Sequence, residues 1–193
     1  MSWVSARKER RLTVAEAEEE HPFFRGHLLR YLFQNAVITP AMREEVEILS
    51  VRVYKSVFVN VGGVAQRVVS TNSFHGAPRH DCITLRGINE NEGVEQWYAK
   101  VLLIFRVTMG NTAHRLLFIH YFNEVQRTTL PLPRLRLLSA NQGLNFAVIS
   151  ITSITDVAFV APDYSTAQPL FHVNEWVKAN NLKKTSKIHS ATL

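Results

Sequence analysis

Apolar positions divide the chain into zones of different period. From Met1 to about Gln34 the spacing is helical: Ala15 to Glu20 are good helix formers, Pro22 interrupts them, and Phe24, Leu28, Tyr31, Leu32 and Asn35 follow at three- and four-residue intervals. The apolar members share one face. Thr39-Pro40 places a capping hydroxyl before a proline, which predicts a short helix to about Glu47. This zone reads as a helical brace packed on the segment that follows.

From Ile48 the period changes to two. Val51, Val53, Val57, Val59 and Val61 alternate with more polar positions, Arg52 and Lys55 among them, and Gly62-Gly63 closes the segment as a turn. Further strands are predicted at Asp81–Leu85, Tyr98–Val107, Arg115–Phe122, Phe146–Ile151, Ala158–Val160 and Leu170–Val173. Turn-forming stretches such as Asn89–Gly93, Gly110-Asn111 and Asn141–Gly143 separate them. Short strands without interleaved long helices predict a mainly β fold with an α-helical N-terminal extension, the strands forming an antiparallel small barrel or sandwich. The expected division is residues 1–47 as the helical extension, 48–177 as the β domain and 178–193 as a flexible basic tail, where Lys183-Lys184-Thr185-Ser186-Lys187 has no apolar period.

Composition narrows the function classes. With 193 residues, 46% hydrophobic and 20% charged, the chain fits a soluble globular protein. No apolar run reaches the roughly 18 residues of a membrane-spanning helix, and Met1–Arg11 carries charges where an export signal has its apolar run, so no membrane partner is expected. Cys82 is the only cysteine, which excludes an internal disulfide and fits a reducing, intracellular compartment. The net charge of +6 is unevenly placed: residues 1–50 hold 7 basic and 8 acidic side chains, residues 51–193 hold 15 and 8. The excess in the later part makes a polyanionic partner plausible, because Lys and Arg displace condensed counterions from phosphates.

The order of segments in the β zone adds a resemblance. Asp81-Cys82-Ile83-Thr84-Leu85 precedes the strand running from Trp97-Tyr98-Ala99 to Phe105, then Leu117-Phe118-Ile119-His120-Tyr121-Phe122-Asn123-Glu124, then Val148 to Pro162, and finally Leu170-Phe171-His172-Val173-Asn174-Glu175-Trp176. This succession resembles the bromo-adjacent homology (BAH) domain over about residues 50–177. The stretch from Ser73 to Asp81, with the Trp97 strand after it, also looks like β domains that trail transposase regions in DNA transposons. The resemblance implies a small BAH/SH3-like barrel that binds chromatin components, protein peptides or nucleic acid, in a chain derived from a transposable element. Two departures stand out: His120-Tyr121-Phe122 replaces the usual aromatic pair of the third strand, and no acidic cluster completes a methyl-lysine cage.

Candidate binding residues follow from chemistry. Trp97, Tyr98, Tyr121 and Trp176 are the rings available to a cationic peptide side chain, each worth roughly 0.5–2 kcal/mol over an ammonium. In a strand, one of each adjacent pair points inward and the other outward. Arg79, Arg86, Arg134 and Arg136 are the candidate phosphate contacts, with Lys183 and Lys184 as a flexible electrostatic arm and a short candidate nuclear-import cluster. Arg134 and Arg136 flank Leu135 and share a face if that piece is extended.

Catalysis has little support. His75, His80, Asp81 and Cys82 lie close together but lack a second half of zinc-ligand spacing, and Asp81 suits backbone bonding at a turn. Cys82 sits in an apolar run, where a thiol is inert, and no nucleophile elbow, phosphate loop or H-E-x-x-H is present. The expectation is a non-enzymatic module without metal or cofactor, partnered by a chromatin protein or nucleic acid. Its alternative is a structural domain whose role is self-association or docking on a transposase-like polypeptide.

Overall fold

The structure is a computed structural model that describes residues 8–173, apart from 36, 40, 41, 43, 45, 47, 48, 90–92, 126–132, 141, 142 and 165–168, with backbone alone at 8, 9, 88, 89, 93 and 94. The expected tail at 178–193, with Lys183 and Lys184, and the ring of Trp176 lie outside the described residues.

The N-terminal zone is helical in two pieces. α1 (Val14–Glu20) opens on a reciprocal cap: the Thr13 hydroxyl accepts from the Glu16 amide at 3.1 Å, and the Glu16 carboxylate accepts from the Thr13 amide at 2.6 Å. α2 (Phe24–Gln34) starts just after Pro22, and the Glu18 carboxylate accepts from the Phe23 amide at 3.1 Å. Phe24, Leu28, Leu29 and Leu32 form its buried stripe. One part of this zone departs from the sequence reading: Lys8–Leu12 is a strand, β1, paired antiparallel with β2 (Val51–Tyr54). A five-residue strand has too few positions to declare its period beside a strong helix cap.

The expected run from Val51 to Val61 breaks at Lys55. Its first part is β2 in the large sheet, and its second is β3 (Ser56–Val61) in a small one with β4 (Val64–Phe74) and β5 (Ala77–His80). Both hairpins of the small sheet turn on two residues of positive φ, Gly62-Gly63 and His75-Gly76.

The large sheet is built on a long hairpin of β7 (Gly93–Met109) and β8 (Thr112–Val125). One edge of β7 carries β6 (Cys82–Asn89) along its first half and β2 along its second. The outer edge of β8 carries β10 (Phe146–Ser150) and then β9 (Arg134–Leu137), which pairs β13 (Leu170–Val173), which pairs β12 (Val160–Pro162). β11 (Ile154–Ala158) pairs β6 on the opposite flank, and only Phe159 separates it from β12. The two ends of the strand path are therefore one chain segment, and the sheet curls into a half-barrel. Tyr98, Phe122, Leu135, Ala158 and Val173 fill the curled end, with Cys82 and Val160 against them, so every strand of the path contributes.

A register shift between Val101 and Leu103 reverses the side-chain alternation of β7. Beyond it Leu103, Phe105, Val107 and Met109 join Leu116 and Phe118 under the helices, where Phe24 meets Phe105 and Phe118 edge to face. The other face buries Ala99, Val101, Ile104, Leu117 and Ile119 under Val57, Val59 and Val68 of the β3–β4 hairpin. The result is helices, large sheet and small sheet in three layers. Antiparallel mainly-β architecture, expected from the sequence, is what the chain forms.

Candidate functional site

Trp97 and Tyr98 are neighbours on β7 and point to opposite faces. Tyr98 is only 6% exposed inside the curled end beside Phe122, and its hydroxyl accepts from the Gln96 amide at 2.8 Å. It belongs to the core. Trp97 is 38% exposed on the other face, its ring centroid 5.8 Å from that of Tyr121 with the planes at 86°. The indole N–H donates to the Glu95 carboxylate at 3.0 Å. Trp97 also lies over Gly87 of β6, where a Cβ would come within 2.1 Å of the indole. Glycine at 87 thus gives the ring a flat seat, in the manner of an aromatic covering a strand glycine.

These side chains line an open groove of about 420 Å³ that also takes in Glu124, Asn123 and Leu138. Two rings at right angles and two carboxylates, Glu95 and Glu124, share it. The acidic component, which the sequence reading did not find, comes from the near ends of β7 and β8. Burial raises the Tyr121 phenol above its ordinary value, which keeps it neutral.

The candidate arginines are treated differently from one another. Arg79, on β5, makes a two-pronged pair with Asp81, at 2.9 and 3.3 Å, and its guanidinium lies 4.7 Å over the Phe74 ring. Arg134 and Arg136 do share a face of β9 opposite the buried Leu135, but Arg134 is 3.4 Å from the Asp163 carboxylate, which also takes His172 at 3.0 Å. Arg86 is exposed on β6, opposite Gln96. Two of the four are thus held by carboxylates of their own chain.

The His75, His80, Asp81 and Cys82 stretch is structural in its contacts. Where β7 passes from β6 to β2, its carbonyls meet side chains instead of a strand: the Ser70 hydroxyl lies 3.0 Å from the Val101 oxygen and 2.7 Å from that of Leu102, and His80 Nδ1 is 3.2 Å from the Val101 oxygen. The Asp81 carboxylate accepts from the Val69 amide of β4 at 2.8 Å, a backbone contact across strands where the sequence suggested one at a turn. Burial pushes the Cys82 thiol up to about 12, leaving no thiolate near neutral pH. Among the described residues no three His, Cys, Asp or Glu side chains are placed to hold a metal ion, and no helix is long and apolar enough to cross a membrane.

No protein-family model, curated protein or solved structure matches the chain. One feature of the large sheet joins residues far apart in sequence. Arg11 stands opposite Arg52, Arg52 opposite Arg106, and Arg106 opposite Arg115, a row across β1, β2, β7 and β8. Each has a neighbour, Leu12, Val53, Phe105 or Leu116, buried under the helices, so all four arginines lie on the opposite face. That is also the Trp97–Tyr121 face, and Arg115 is six residues, about 20 Å of strand, from Tyr121. The sequence reading missed the row. The two-residue Gly110-Asn111 turn is the signal for half of it, since three steps out from Met109 and Thr112 are Arg106 and Arg115.

Proposed function

We propose that the chain is a non-catalytic interaction module, BAH-like in architecture, that receives a lysine or methylated lysine of a chromatin protein in the Trp97–Tyr121 groove. The observation that carries this reading is the perpendicular ring pair flanked by Glu95. Ring faces attract an ammonium electrostatically, and a carboxylate at the rim adds a charge-assisted contact. The curled strand path supports the small-barrel part of the reading. The engagement of His80, His120 and Cys82 in backbone contacts or burial supports a role in binding rather than in proton or group transfer. Arg79 and Arg134, compensated internally, favour a peptide over a phosphate chain as the ligand of this end.

Calorimetric titration with a short basic peptide carrying one trimethyllysine tests the reading. Trp97→Ala and Tyr121→Ala should each weaken binding by about tenfold or more, as loss of one ring contact predicts, and a neutral isostere of trimethyllysine should bind less well than the cation. No heat with either peptide, or equal affinity for cation and neutral isostere, would reject it. A stable oligomer that binds neither would favour the self-association alternative.

A further inference from the structure

The arginine row is costly for the folded chain. Like charges directly opposite on neighbouring strands destabilise a sheet, and here three successive pairs do so. Among the described residues no carboxylate pairs with Arg11, Arg52 or Arg106, and the buried Nε of Arg106 has no hydrogen-bond partner. Arg10 with Glu20, Arg79 with Asp81 and Arg134 with Asp163 are balanced within the chain. Three successive arginines on neighbouring strands without a carboxylate among the described residues, Arg11, Arg52 and Arg106, suit an anion from outside.

We infer that Arg11, Arg52, Arg106 and Arg115 form a track for the phosphodiester backbone of a nucleic acid. Adjacent strands are about 4.8 Å apart, so the row runs straight for about 14 Å across the sheet. A ligand matching it must present several negative charges in line at short spacing, as a phosphate backbone does and a single phosphate does not. Guanidinium groups suit phosphate oxygens, and such contacts orient a nucleic acid without reading its sequence. Arg11 and Arg115 are exposed at the ends and Arg52 and Arg106 half-buried between them. The flanking positions Thr108 and Ala113 are small and exposed. Among the described residues none of the exposed large apolar side chains, such as Phe58, Trp97, Leu144 and Phe159, lies on β1, β2, β8 or the second half of β7, so the described part of this end offers no wedge for a lipid bilayer. The track is independent of the aromatic groove, and either can fail without the other.

The test is fluorescence anisotropy of the full chain with a random-sequence DNA duplex of about 20 base pairs across a salt series. Four phosphate contacts predict a slope of log affinity against log salt of about −3.6, or about 150-fold between roughly 50 and 200 mM. Arg52→Gln with Arg106→Gln should flatten the slope by about two, and the corresponding double lysine variant should restore it. Arg11→Gln, at the exposed end, should flatten it by about one and supplies the same reading should the double variant not fold. Absence of duplex binding at low salt would overturn the inference. So would a slope unchanged in these variants but lost in Lys183→Gln with Lys184→Gln, or binding to anionic phosphatidylserine vesicles in place of duplex.

Discussion

The β7–β8 hairpin serves two ends of the molecule that handle charge in opposite ways. At the curled end, strands wrap a small core and Arg134 meets the Asp163 carboxylate across the sheet closure. At the flat end, helices back a broad core of Phe24, Phe105 and Phe118, and on the far side arginine faces arginine across four strands. Local compensation distinguishes these ends, and on our inference an outside anion lowers the free energy of the flat one.

Substitutions can break this contrast, and the largest effect is expected where the helices meet the sheet. Phe118 is fully buried against Phe24 and stacks on Phe146 with centroids 5.6 Å apart. Phe118→Ala should cost about 3–5 kcal/mol in urea denaturation, through lost transfer energy and the cavity left behind. A loss below about 1 kcal/mol would mean that the helices do not share the sheet's core.

Next comes the clasp of the curled end. Asp163→Asn leaves Arg134 and His172 without their anion in a poorly hydrated place and should cost about 2–3 kcal/mol, with no change in the duplex salt slope. Gly87→Ala should cost about 1–3 kcal/mol, because the new Cβ displaces the Trp97 indole. It should also abolish trimethyllysine binding while leaving duplex affinity intact. Loss of both activities together would show that the two ends are not separate surfaces.

A smaller effect is expected from acid. Burial holds His21, His27, His80 and His120 below the ordinary value of 6.5, chiefly by penalising the charged ring. The unfolded chain therefore binds these protons more readily than the folded one. Stability from this source is complete above about pH 6.5 and is lost as pH falls from there toward the depressed folded values. Melting temperature should drop between about pH 7.5 and about pH 5.5; a rise over that interval would contradict the burial of these rings.

Much of the β zone was legible because period and punctuation agreed. Leu170–Val173 forms the strand its pattern predicts, and Gly62-Gly63 and Gly110-Asn111 are hairpin turns with positive φ at Gly62, Gly63 and Gly110. β4 was not legible: Gln66, Arg67, Asn72 and Ser73 lie toward its more exposed ends, and the polar Ser70 and Thr71 are buried at its centre. The break at Lys55 was hidden because both sides of it read as alternating valines, although they bury on different faces of the large sheet. Of the candidate site, that one ring of each adjacent pair faces outward followed from alternation, but which ring it is and which rings meet required the folded register. The arginine row depended on register even more, since it joins β1, β2 and β8 through β7.

The central claim is that the row exists for a ligand and not for the fold. Thermal melting of Arg52→Gln with Arg106→Gln, against the unsubstituted chain and without nucleic acid, tests it most directly. Relief of like-charge contacts should raise stability by about 0.5–1 kcal/mol at low ionic strength, a gain of roughly 1–4 °C that shrinks as salt screens the row. A variant that melts several degrees lower at every salt concentration would show that these arginines hold the sheet together, and would contradict the account.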